Sequence, residues 1–97
     1  MDCKVRITED ALADLAEIVE YSILHFPQTA ERFGNALLDH IELLGRFPRL
    51  GTPVPHRRGV RKILHSPIAI YYRLHEDRNL VEILHLWHGS RRGPKLK

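Results

Sequence analysis

Residues 68–88 read IAIYYRLHEDRNLVEILHLWH, two apolar runs around a polar centre. From Pro67 to Leu74 the residues alternate. Ile68, Ile70, Tyr72 and Leu74 fall on one side, and Ala69, Tyr71 and Arg73 on the other, the two-residue period of a strand. His75 to Asn79 is a polar turn of hairpin length. Leu80 to His88 is apolar on both sides, which marks an internal strand rather than an edge. The stretch therefore predicts a β-hairpin, and Val60 to His65 adds one strand before it.

Upstream, Gly45 to Gly59 is punctuated by Pro48, Gly51, Pro53 and Pro55, which predicts an extended, partly stiff loop. Before the loop, Ala30, Phe33, Leu37, Ile41 and Leu44 recur at helical steps. Phe26-Pro27 interrupts an earlier helix, because proline disfavours helical geometry in the residue ahead of it. In that earlier helix Leu12, Leu15, Val19, Ser22 or Ile23, and Phe26 form the expected core face, with Asp14, Glu17 and Glu20 opposite. Thr8 reads as its N-cap, and Glu9 and Asp10 suit the positive end of the helix dipole. Cys3 to Ile7 alternates as a short strand. The expected order is β-α-α-β-β-β. This is an α+β fold in which an antiparallel helical hairpin packs on one face of a small, mostly antiparallel sheet. The other face stays open.

The 97 residues are read as one domain, 1–97. With 43% apolar and 28% charged residues, the composition is that of a folded chain rather than a disordered one. One cysteine, Cys3, rules out an internal disulfide. No basic start leads into an apolar run and no window is long enough to cross a bilayer, so a cytoplasmic protein without a membrane partner is expected. Charge divides unevenly. Residues 1–48 hold four Lys/Arg against nine Asp/Glu, a net of −5; residues 49–97 hold eleven against three, a net of +8. A basic half suits a polyanion or an acidic protein, unless the two halves neutralise each other in the fold.

Metal and nucleotide chemistry find little support. The seven histidines include no His-x-x-x-His pair, no second cysteine exists, and no Gly-rich loop joins a strand to a helix. No metal and no cofactor are expected. What remains is a set of cations and imidazoles around the sheet: Arg57, Arg58, Arg61, Lys62, Arg73, His85, His88, Arg91 and Arg92. They form either a solvated rim or a surface for phosphates or an acidic partner. Metal-free RNA cleavage would need a base, an acid and cations around one phosphate. His88 could supply the proton transfer, and Arg61 or Arg91 the charge. Tyr72 and Trp87 read either as packing or as a stacking surface.

In order along the chain, ITEDALADLAEIVEY (7–21), LLGRFPRLGTPV (43–54), GVRKI (59–63), IAIYYRLHED (68–77) and VEILHLWHGSRR (81–92) resemble the RelE/ParE superfamily of bacterial type II toxin–antitoxin toxins. The resemblance covers nearly the whole chain. It implies a growth-inhibiting, plasmid-stabilisation type toxin neutralised by a cognate antitoxin, whose acidic or amphipathic segment would cover the basic half. One branch poisons DNA gyrase; the other is a ribosome-dependent mRNA endoribonuclease. His88 and Arg91 match the family's HG-x-R ending. The ribonuclease branch commonly carries an arginine where this chain has Ala69, which leans the reading slightly to the gyrase side. On the ribonuclease reading, His88, Arg61 and Arg91 would be catalytic. On either reading, Arg57, Arg58, Lys62, Tyr72, Arg73, His85, Trp87 and Arg92 would contact target or antitoxin. A non-toxic remnant or small binding module that keeps the fold is a further reading.

Overall fold

The computed structural model describes residues 2–88. The expected sites Arg91 and Arg92, with the rest of 89–97, lie outside them. The elements are β1 (Lys4–Ile7), α1 (Glu9–His25), α2 (Ala30–Arg46), β2 (Thr52–Pro53), β3 (Val60–His65), β4 (Ile68–His75), a 3-10 turn (Glu76–Arg78) and β5 (Leu80–His88). The sheet order is β1-β5-β4-β3-β2, with β1 and β5 parallel and every other pair antiparallel. The expected α+β architecture is present, with one added strand. The loop expected over 45–59 starts later and contains β2, whose Thr52 and Pro53 pair with Lys62 and Arg61. Proline is tolerated there because β2 is an edge strand.

Thr8 ends β1 and starts α1. Its hydroxyl accepts from Ala11 N at 3.2 Å and donates to the Ile83 carbonyl at 2.7 Å, so one side chain caps the helix and ties it to β5. α1 ends at His25, one residue before the Phe26-Pro27 break. The core gathers Leu37, Ile41 and Leu44 of α2 against Ile68, Ile70 and Tyr72 of β4 and Val81, Ile83 and Leu86 of β5. Gly45 permits the closest approach of α2 to β1, where its carbonyl accepts from Cys3 N at 2.7 Å.

α1 differs from its expected packing. Its buried positions are Ala11 and Ser22, with Leu15 and Ile18 packed beside them. Of the two alternatives Ser22 and Ile23, Ser22 is the buried one, while Leu12 and Phe26, expected in the core, are exposed with Ile23. The reason is compositional. Apolar residues cover more than half the circumference of this helix, so periodicity alone cannot choose its inner face. Packing selects the small Ala11 and Ser22, and the Ser22 hydroxyl is satisfied within the helix by the Ile18 carbonyl at 2.8 Å.

Candidate functional site

Strand register sorts the expected site residues into two sets. Residues directly opposite across a sheet share a face. On the side that packs on the helices, the cross-strand rows are Arg61–Tyr72–Ile83, Ile63–Ile70–Leu86 and His65–Ile68–His88. On the open side they are Arg73–Glu82–Arg6, Lys62–Tyr71–His85 and Leu64–Ala69–Trp87. The phase stays consistent in β5 because a bulge near Tyr71/Tyr72 leaves Leu84 without a register partner, between Ile83 and His85.

The open face thus joins Lys62, Arg73, His85 and Trp87. Lys62 Nζ lies 6.0 Å from the centre of the Tyr71 ring, a cation–π contact. Glu82 sits between bases, with Oε2 3.3 Å from Arg6 Nη2 and Oε1 3.1 Å from His75 Nε2. His85 is held from α1: Asp14 Oδ2 lies 3.2 Å from its Nδ1 and also accepts the Leu86 N–H at 3.0 Å. A carboxylate only accepts, so Nδ1 carries the proton of this contact. The same carboxylate satisfies the β5 edge beyond Ile83, where pairing with β1 stops. Asp14, expected on the solvent face of α1, instead reaches the edge of β5. A contact across 71 residues between a helix and a strand edge leaves no local signal.

Tyr72 is corrected from contact surface to core. It is 0% exposed. Its hydroxyl donates to the Pro48 carbonyl at 2.7 Å and accepts from Gly51 N at 2.9 Å. Burial pushes the phenol above its ordinary range, partly opposed by the Gly51 N–H and the Arg61 charge. Arg61, half-buried, bonds the same loop. Its guanidinium donates to the Gly51 carbonyl at 2.6 Å, clamping the loop that leads to β2. Arg61 and His88 do not converge. Their partners on β4, Tyr72 and Ile68, stand four residues apart, about 13 Å along the strands and about 10 Å across two of them. Arg57 and Arg58 are exposed on the loop between β2 and β3, after His56 in the left-handed region at φ 62°.

His88 lies at the other end of the sheet. There a cleft of about 700 Å³ opens between the helical hairpin and the ends of β4 and β5, with Tyr21, Phe26, Phe33, Ile68, Trp87 and His88 in its lining. Trp87 Nε1 is buried without a hydrogen-bond partner among the described residues. Beside the cleft, His40 and His65 face each other with Nδ1 atoms 2.8 Å apart. Burial, and then His40, lower the His65 pKa from its ordinary value. Among the described residues no group of three or more His, Cys, Asp or Glu could hold a metal, and no helix is long and apolar enough to cross a membrane.

The comparisons with known proteins agree with this architecture. The profile described as "ParE toxin of type II toxin-antitoxin system, parDE" matches residues 5–93. No protein of curated function matches by sequence. Among solved structures, a chain of the chromosomal ParDE toxin–antitoxin system of P. aeruginosa superposes with a TM-score of 0.73 at 21% identity, covering 89% of this chain and 95% of that one. The RelBE2 toxin–antitoxin complex of Mycobacterium tuberculosis gives 0.69 at 24%, covering 91% and 92%. A mutant of the E. coli toxin RelE in the free state gives 0.69 at 14%, covering 93% and 86%. These structures share the fold.

Proposed function

Because the chain belongs to the ParE toxin family of type II toxin–antitoxin systems, we propose that it arrests bacterial growth by gripping DNA gyrase through the open face of its sheet. The observation that carries this reading is that, among the described residues, Arg61 and His88 stand on different rows at opposite ends of the sheet. Transition-state stabilisation requires cations aimed at the phosphorane while base and acid reach its oxygens. Arg61 instead bonds the backbone at Gly51, on the face opposite Lys62 and Arg73. Ala69 stands where the ribonuclease branch commonly has arginine, between Leu64 and Trp87, so that end of the open face is apolar. Apolar and aromatic residues beside Lys62 and Arg73 suit a protein surface, where such groups dominate binding.

The partner in the resting cell is a cognate antitoxin in the cytoplasm. Its acidic or amphipathic segment neutralises the basic half and covers the open face as it orders. Messenger RNA cleavage on the ribosome has one observation in its favour: Asp14 orients His85, in the same cross-strand row as Lys62. A supercoiling assay with purified protein and purified gyrase separates the two. Inhibition, or trapped cleaved DNA, supports the gyrase reading. Unchanged supercoiling at tenfold molar excess, together with mRNA cuts on translating ribosomes, overturns it.

A further inference from the structure

α1 carries a second apolar face that nothing among the described residues covers. Leu12, Ala16, Val19 and Ile23 follow one another at steps of four, three and four. That is the spacing of a seam made to receive another helix. The seam runs about 17 Å along the axis, at 1.5 Å per residue. Its large side chains face solvent: Leu12 is 50% exposed, Ile23 55% and the neighbouring Leu24 72%. Leu12, Leu15, Ala16, Val19, Ile23 and Leu24 line a shallow trough there, with Glu20 on its rim. A contiguous apolar strip of this kind on a small protein marks a contact surface. The core is built on the neighbouring face, through Ala11, Leu15, Ile18 and Ser22, so the seam contributes little to holding the fold.

The charges beside the seam say what covers it. α1 contains Glu9, Asp10, Asp14, Glu17 and Glu20 and no lysine or arginine. At 100° per residue, Glu9 and Glu20 fall about 60–80° from Leu12, on the flank away from the core, with Glu17 further round. Two copies of this chain joined seam to seam would bring carboxylates together, which disfavours a second copy as occupant. A partner helix with lysine or arginine along one flank would meet Glu9 and Glu20 with opposite charge while its apolar residues fill the seam. We propose that the outer face of α1 is a docking site for an amphipathic helix of a partner protein, with an apolar 3-4 seam and basic flanks. This surface is separate from the open sheet face, and the inference holds whichever target the toxin attacks.

The test uses the full chain and two fluorescent helical peptides of about 18 residues, or five turns. Both carry the same leucine seam; one has lysines on its flanks and the other glutamates. Anisotropy titrations should show the lysine peptide binding at least tenfold more tightly, with the difference shrinking as salt rises. Ile23→Asp, at an exposed position, should abolish binding while circular dichroism stays unchanged. Glu9→Lys/Glu20→Lys should reverse the preference between the peptides, an outcome that mere stickiness cannot produce. Equal binding of both peptides, binding of neither, or a preference that survives charge reversal overturns the proposal. So does a dimer in sedimentation that Ile23→Asp returns to monomer, because the seam's occupant would then be a second copy. Adsorption of the chain to vesicles through the seam, lost in Ile23→Asp, overturns it in favour of a lipid surface.

Discussion

Tyr72→Phe removes one oxygen and should cost far more than a surface change. The hydroxyl serves two backbone groups on the strap between α2 and β2, the Gly51 N–H at 2.9 Å and the Pro48 carbonyl at 2.7 Å. The Gly51 end is buried, so its N–H is left without water or partner. Stranding a buried polar group costs about 1–3 kcal/mol. Since the Pro48 end is only part-buried, about 2 kcal/mol is expected in all. For a domain of this size each kcal/mol moves Tm by about 4–8 °C, so Tm should drop by about 8–16 °C. Urea unfolding followed by far-UV circular dichroism gives the free energy directly, with an unchanged slope expected. The phenol adds a pH signature. Its pKa is raised in the native state, chiefly by burial. The neutral phenol therefore stabilises the fold fully below its unfolded value of about 10, and this contribution is lost as pH rises through the native value. The gap between wild type and Tyr72→Phe should narrow above about pH 10. A loss below 0.5 kcal/mol on the scale of an ordinary surface substitution would refute the reasoning.

The His65 pKa is lowered by burial and by His40, so the unfolded chain takes up the proton first as pH falls. Stability should decline from about pH 6.5 downward, and urea midpoints at several pH values should show a flatter profile in His65→Gln. Gly45→Ala places a methyl 2.9 Å from the Cys3 carbonyl oxygen and 3.1 Å from Val5 Cγ2, forcing α2 off β1. It should cost about 1–3 kcal/mol in thermal unfolding. Gly34→Ala meets nothing within 4 Å and should stabilise α2 by up to about 1 kcal/mol in the same assay. Lys62→Glu, on the open face, should leave Tm nearly unchanged while weakening growth arrest on induction, scored by colony counts.

The hairpin of β4 and β5 was legible because the alternation of β4 and the polar turn after it are local signals, and the two strands pair from Ile68–His88 to His75–Leu80 with one shift at Tyr71/Tyr72. α2 was legible for a similar reason: its apolar stripe is narrow, and Leu37, Ile41 and Leu44 are all buried. α1 was not. Its apolar residues surround the axis, and the choice of Ala11 and Ser22 as the inner face depends on how closely the rest of the fold approaches. β2 was hidden because prolines signal a loop, and only pairing with Lys62 and Arg61 makes Thr52–Pro53 a strand. In the candidate site, the opposite facing of Arg61 and Lys62 followed from their adjacency. Convergence of Arg61 with His88 did not follow, because it depends on which row of the ladder each occupies. The Asp14–His85 pair and the Tyr72–Gly51 lock join residues far apart in sequence, and single-sequence patterns carry no trace of either.

The most direct test of the toxin's action is pulse labelling of DNA and protein synthesis after induction in a bacterial host that lacks the antitoxin. The account predicts that thymidine incorporation stops first, with a DNA-damage response, while amino-acid incorporation continues. If protein synthesis stops first and mRNA ends accumulate within codons, the gyrase reading is contradicted and His85 with Asp14 becomes the centre to dissect. If neither falls while soluble, folded protein accumulates, the chain is a remnant that has kept the fold without the toxicity.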